Sequence, residues 1–224
     1  MKLLKRHTFY ILFALLIGIE TIIANLEGLQ NVHYISKPLI VGALLFYFIS
    51  KSKHLSFNIR KLTVLALGFS LIGDILLLFV FKSKAFFITG LLAFLIAHVM
   101  YSLLFFKQRN KSKKPQICIV LLVVYALILF WFLKSGLNDL LIPVILYMLV
   151  LLTMATLAFL RQGRANTVSY NLVLIGALIF IISDSLLAIN KFYTPVPLSS
   201  FSIMFTYALA QLLITTGILK GLKN

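Results

Sequence analysis

The feature that most limits what this chain can become is a row of eight apolar runs, at about 8–26, 34–50, 62–81, 85–106, 116–133, 139–160, 168–190 and 199–219. Each approaches the ~20 residues that an α-helix needs to cross a hydrocarbon core. No water is at hand there to pair backbone N–H and C=O groups, so a spanning segment satisfies them internally, as a helix. The intervening stretches are short and hold no linker, low-complexity segment or soluble domain. Consecutive helices therefore lie side by side, and a single all-α membrane domain is expected over residues 1–224, an eight-helix bundle. Composition agrees, with 62% of residues hydrophobic, only 12% charged and a mean hydropathy of +1.07. The opening "MKLLKRHTFY" resembles a secretory leader, but the apolar run continues through Ala24 without a small-residue cleavage site. It is read as the first membrane helix.

A net charge of +16 would suit a nucleic-acid partner, yet no basic groove interleaved with aromatics is visible, and none is expected. The distribution of the charge explains it better. With the amino terminus cytoplasmic, 16 of the 21 lysines and arginines fall in cytoplasmic segments and four in the opposite loops, while Lys37 lies inside the second run. The positive-inside rule then puts both termini in the cytoplasm and the protein in the cell membrane as a multi-pass chain. The bilayer is its surrounding partner; oligomeric partners are not legible. Cys118 is the only cysteine, which excludes an intrachain disulfide and a cysteine-based metal site.

Against this background five acids stand out, because two of them interrupt apolar runs. Asp74 sits in "LGFSLIGDILLLFVF", after Gly73 and one turn beyond Ser70; Asp184 sits in "LIGALIFIISDSLLAIN", between Ser183 and Ser185. An aspartate at a helix centre costs ~2.5–3.5 kcal/mol on insertion scales, so such residues are usually paired and functional. The orientation puts both in the outer halves of their helices. Glu20, about six residues from the outer end of the first helix, Lys37, followed by Pro38, and Tyr207 lie at similar depth. Glu20 and Lys37 are the expected charge partners. His98 lies deeper, on one face with Gly90, Phe94 and Tyr101 at steps of four, four and three. It is either a packed interface histidine or part of the pocket. His7, His33 and His54 map to helix ends or loops, so no histidine-rich metal site is expected, and no cofactor.

An internal duplication is also suggested. Asp74 and Asp184 stand 110 residues apart, and each is followed 23–27 positions later by polar residues: His98 and Tyr101, then Tyr207 and Gln211. Four helices plus four would form a parallel repeat about an axis along the membrane normal, with the two aspartates facing each other.

"SKPL" (36–39), Gly73–Asp74, "FxxGxxxFxxAHxxY" (87–101) and "SDSLLAINKF" (183–192) together resemble the YhhN, or lysoplasmalogenase-like, membrane proteins. The resemblance spans nearly the whole chain and carries the eight-helix count, but the fifth run adds nothing to it. It implies hydrolysis of the vinyl ether bond of a lysophospholipid, giving a fatty aldehyde and a glycerophospho-base. That chemistry needs a proton delivered to the β-carbon and stabilisation of the oxocarbenium-like cation, a task that paired carboxyl groups perform in glycoside cleavage. Asp74 and Asp184 are the expected catalytic pair; which is acid and which base stays open. His98, Tyr101, Asn190 and Tyr207, with Lys191 beside them, are candidates for substrate or water contacts. Two other readings use the same residues: a proton-coupled transporter or lipid-handling protein, and purely structural interhelical bonds.

Overall fold

A computed structural model describes residues 6–24, 26, 28 and 30–221. Eight α-helices follow in order: α1 (Arg6–Ile23), α2 (Gln30–Lys51), α3 (Phe57–Leu77), α4 (Lys84–Lys107), α5 (Gln116–Leu137), α6 (Leu141–Phe159), α7 (Thr167–Phe192) and α8 (Ser199–Leu219). Short 3-10 turns follow α2 (Ser52–His54) and precede α6 (Asn138–Leu140), and there is no strand among the described residues. Lys2, Lys5 and Lys223, counted above among the cytoplasmic charges, lie outside the described residues. Five stretches are long and apolar enough to cross a membrane: Asn31–His54, Lys84–Lys107, Gln116–Phe159, Thr167–Phe192 and Ser199–Leu219. The third of these holds two helices, α5 and α6, parted where Asn138 takes a positive φ of 42°. α1 is apolar but shorter, and α3 carries Arg60, Lys61 and Asp74.

Several helices begin earlier than the apolar runs, α2 at Gln30 and α3 at Phe57. Hydropathy marks the part of a helix that lies in hydrocarbon, whereas the helix itself continues into the polar boundary. The first turns are set locally: Ser83 Oγ accepts the Ala85 N–H at 3.2 Å before α4, and Asn166 Oδ1 accepts the Val168 N–H at 2.9 Å before α7.

The chain alternates up and down, and each end of the bundle is tied by contacts between different connections. At the basic end, His54 Nε2 lies 3.1 Å from the Leu219 carbonyl, and Asn110 donates its backbone N–H to the Leu160 carbonyl at 2.7 Å. At the opposite end, aromatic rings at or near the helix ends meet: Tyr34 on Phe79, Phe87 against Phe192, and Phe132 against Tyr193. α3 packs most closely on α4 and α7 on α8; α2 against α8 and α4 against α6 join the two halves. Close approach needs small residues. A Cβ on Gly176 would fall 2.8 Å from Ile214 Cγ1 and 3.0 Å from the Ala210 carbonyl, so α7 and α8 nearly touch there. α5 packs on α6 and α7 at the edge and leaves Ile117, Leu121 and Trp131 exposed, as a lipid-facing helix would.

One basic residue departs from its expected place. Arg161, read from sequence as a loop anchor between the sixth and seventh helices, is fully buried. Its Nε donates to Gln108 Oε1 at 2.9 Å and its Nη2 to Ser169 Oγ at 3.0 Å, while Ser169 Oγ donates to the Gly217 carbonyl at 2.6 Å. The guanidinium thus pins the ends of α4, α6 and α8 to the start of α7. Burial lowers its pKa to about 10, which leaves it charged at neutral pH.

Candidate functional site

Toward the end away from the basic loops, residues of α2 to α8 line one partly open cavity. Its wall is largely hydrocarbon: Leu77 of α3, Phe87, Leu91 and Phe94 of α4, Leu129 and Leu133 of α5, Val144, Met148 and Leu151 of α6. Into this wall project Asp74 and Asp184, together with Lys37, Tyr147 and Tyr207. The two aspartates singled out in the sequence therefore open onto one space.

Each aspartate is held by a tyrosine from another helix. Tyr207 of α8 donates its hydroxyl to Asp74 Oδ2 at 2.9 Å, and Tyr147 of α6 donates to Asp184 Oδ2 at 2.6 Å. Asp74 is nearly sealed, 2% exposed, whereas Asp184 is 14% exposed. The helix sorts Ser183, Asp184 and Ser185 by direction, because successive residues point about 100° apart. Ser183 Oγ donates to the Ile203 carbonyl of α8 at 3.1 Å, and Ser185 Oγ accepts the Tyr125 hydroxyl of α5 at 2.7 Å. The carboxyl between them faces the cavity. Beside Asp74, Gly73 lets the Phe94 ring lie directly on α3: a Cβ there would come within 2.6 Å of Phe94 Cε2. Phe94 in turn meets the Tyr207 ring edge-on, with centroids 5.7 Å apart.

Of the expected charge partners, Lys37 lines the cavity and acts electrostatically on Asp74, as does Glu20. Glu20 does not pair with Lys37; fully buried on α1, it lies 2.7 Å from Nδ1 of His33, which opens the first turns of α2. Among the expected substrate contacts, Tyr207 is on the wall. His98 is one layer behind it, 1% exposed, with Nε2 4.0 Å from Asp184 Oδ2 and its ring edge-on to Tyr147 and Phe180. Tyr101 and Asn190 are directed elsewhere. Tyr101 is buried deeper and donates to Gln211 Oε1 at 2.9 Å; Gln211 Nε2 donates on to Ser70 Oγ at 3.0 Å. Asn190 Oδ1 accepts the Val196 N–H at 2.9 Å and ties down the loop after α7. Lys191 is exposed, its Nζ 5.3 Å from the Phe87 ring centroid at the rim. Among the described residues no three His, Cys, Asp or Glu side chains gather at metal-ligand distance.

Tyr147 was not singled out from the sequence. Its signal was present: it is the one residue in the first two turns of α6, "LIPVILYM", with a hydroxyl to place. In an apolar helix a tyrosine reads as packing or as a boundary anchor until a buried acid is found opposite it.

The arrangement offers two carboxyl groups, one ammonium and two phenols on the wall of one apolar chamber. It can exchange protons with a bound molecule and hold a hydrocarbon chain beside them.

Comparison with known proteins bears on what enters. The human lysoplasmalogenase TMEM86A is 34% identical over 150 residues, which is 66% of this chain and 61% of that protein. The human lysoplasmalogenase TMEM86B is 32% identical over 156 residues, 70% of this chain and 62% of that protein. The lysoplasmalogenase of Mycobacterium tuberculosis is 33% identical over 167 residues, 72% of this chain and 62% of that protein. The matches thus span about three fifths of these relatives' length. No solved structure matches the chain. The profile of the YhhN family covers residues 32–218, which takes in every cavity residue from Lys37 to Tyr207, and the chain belongs to that family.

Proposed function

We propose that the protein is a membrane-embedded hydrolase that cleaves the vinyl ether bond of a lysoplasmalogen-type lysophospholipid, releasing a fatty aldehyde and a glycerophospho-base. The observation that carries this reading is the convergence of Asp74 and Asp184, with Lys37, on one apolar cavity. A vinyl ether is an apolar group that reacts through a cation. Its hydrolysis needs a proton donor at carbon and a negative charge near the oxocarbenium, in a chamber that also accepts an alkyl chain. The names of the YhhN relatives point to the same substrate. The hydrocarbon tail lies along Leu129, Leu133 and Met148, and the vinyl ether lies against the carboxyl groups. No cofactor has a part in this chemistry.

The same reading sets the chain in the cell membrane as eight spans with both termini cytoplasmic, supported by the up-and-down alternation and the basic residues gathered at one end. It also takes the two halves as a parallel repeat of four helices each. A spacing of 110 residues relates Asp74 to Asp184 and Lys37 to Tyr147. It also relates Tyr101 to Gln211, and those two are hydrogen-bonded to each other, as residues on a two-fold axis would be. The α2–α8 and α4–α6 contacts exchange under the same operation.

The test is direct. Purified protein in detergent is given a 1-alkenyl lysophospholipid, with a saturated 1-acyl lysolipid as control, and free aldehyde is measured. Aldehyde from the first alone, abolished in Asp184→Asn, is the expected result. No aldehyde above the Asp184→Asn background would leave the transporter reading of the same carboxylates in its place.

A further inference from the structure

The two aspartates occupy equivalent positions in the proposed repeat but do not have equivalent neighbours. Asp74 shares the cavity with a cation, Lys37 on α2, the helix that packs on its own helix α3, and it accepts the Tyr207 hydroxyl of α8; Glu20 on α1 also acts on it electrostatically. The position 110 residues after Lys37 is Tyr147, so Asp184 receives a neutral phenol where Asp74 has an ammonium. The remaining titratable group facing Asp184 is His98 on α4, at 4.0 Å, beyond hydrogen-bonding distance. His98 is enclosed edge-on by the Tyr147 and Phe180 rings. Among the described residues, Lys37 is thus the one lysine or arginine that lines the cavity, and it stands on the helix packed against that of Asp74.

From this broken symmetry we infer that Asp184 is the acid that carries the reacting proton and Asp74 the carboxylate that stays charged, with Lys37 and Tyr147 as the positioning residues that set the two roles. The assignment rests on the hydrolase reading, and it closes the proton cycle. Asp184 gives its proton to the β-carbon; the C–H bond forms from the electron pair of the double bond, and the positive charge moves to the ether oxygen and α-carbon. Asp74, at that cation, takes a proton from water as the water oxygen bonds to the α-carbon, giving a neutral hemiacetal. The hemiacetal hydroxyl then returns its proton to the Asp184 carboxylate while Asp74 passes its proton to the ether oxygen. The C–O bond breaks to aldehyde and alcohol. Asp184 is again protonated and Asp74 again charged, and no external acid, base or cofactor is consumed. In each carboxyl group the tyrosine occupies Oδ2, which assigns the transferred protons to Oδ1.

The charge assignment is tested without turnover. Dicyclohexylcarbodiimide is apolar and modifies protonated carboxyl groups, so it enters the cavity and reports which aspartate holds a proton. Intact protein in detergent at neutral pH is treated with the reagent and the modified peptides are quantified by mass spectrometry. Modification of Asp184 at least ten times that of Asp74 is expected. Because Asp184 is also the more exposed of the two, Lys37→Met and Lys37→Arg complete the experiment. Lys37→Met should raise Asp74 labelling to within a few-fold of Asp184, whereas Lys37→Arg should leave Asp74 spared. Preferential labelling of Asp74 in the native protein, or sparing of Asp184, overturns the assignment. So does an Asp74 that remains spared in a Lys37→Met protein whose elution and melting match the native one, since access rather than charge would then protect it. If Lys37→Met does not fold, Lys37→Gln, which also removes the charge, takes its place with the same expected and overturning results. A protein that labels as expected but releases no aldehyde would keep the charge assignment and lose the hydrolase reading.

Discussion

Replacing Gly73 with alanine adds one methyl group at the point where α3, α4 and the cavity meet. The new Cβ would sit 2.6, 2.7 and 3.0 Å from Cε2, Cδ2 and Cζ of Phe94. Carbon atoms in contact prefer ~3.5–4.0 Å, so the ring must retreat by ~1 Å. Over-packing of this size costs ~1–3 kcal/mol, offset by the ~1 kcal/mol that a helix gains on exchanging glycine for alanine. The net loss, ~0–2 kcal/mol, leaves the protein folded. The functional loss is larger, because Phe94 meets the ring of Tyr207, and the Tyr207 hydroxyl holds Asp74. A displacement of ~1 Å at a reacting group can cost ~100-fold in rate. Gly73→Ala should therefore reach the membrane in normal amount, melt within a few degrees of the native protein, and release aldehyde ~100-fold more slowly. Gly73→Ala with Phe94→Leu makes room for the methyl group and should recover at least ten-fold of that loss. A single variant within three-fold of native turnover, or a double variant no faster than the single, would refute the argument from contact.

Three further expectations follow from the same geometry. Asp74→Asn and Asp184→Asn should each remove turnover while the protein stays folded, and the double variant should be no slower than either, because groups that complete one proton cycle are strongly non-additive; a double variant slower than both singles would mean that they act independently. Arg161→Lys keeps the charge but not the fork that reaches Gln108 and Ser169 together, and should cost ~2–3 kcal/mol of stability, read as a lowered melting temperature in detergent with little change in turnover per folded molecule. Reporter fusions after Lys114 and Lys220 should read cytoplasmic and a fusion near Lys84 external; an external signal from either of the first two would remove the topology.

Much of the fold was legible because a bilayer leaves a chain few choices. Eight apolar runs became eight helices, with errors of a few residues where helix continues past hydrocarbon, as at the start of α3. Asp74 and Asp184 were legible for the same reason: an acid in such a run is conspicuous before any contact is known. What could not be read were residues whose meaning depends on several elements at once. Arg161 looks like any loop cation until Gln108, Ser169 and the Gly217 carbonyl are assembled around it from three directions. Tyr101 has the depth and helix face of a pocket residue, but its hydroxyl is taken by Gln211. Glu20 and Lys37 are near enough in depth to suggest a pair, and only the packing of α1 on α2 shows that His33 is what Glu20 meets.

In the proposed repeat, function is carried by the places where the halves differ rather than where they agree. A strictly two-fold site would hold its two carboxyl groups in identical surroundings. Nothing would then decide which of them keeps a proton, and a molecule with distinct ends would find two equivalent ways to bind. Lys37 opposite Tyr147 removes the first degeneracy. His98 and Tyr207 occupy nearly corresponding places on α4 and α8, yet only the tyrosine reaches its aspartate with a hydrogen bond. The second degeneracy is removed by α5. It packs on α6 and α7 and supplies Leu129 and Leu133 to the cavity, while its counterpart α1 contributes no residue to the wall. The hydrocarbon wall is therefore extended on the α5 side, and the ammonium stands on α2, which packs on the helix of Asp74. An amphiphile with one alkyl chain has one orientation that satisfies both, with the chain toward α5 and the reacting bond between the two acids. On the proposed assignment, that orientation brings the double bond to Asp184.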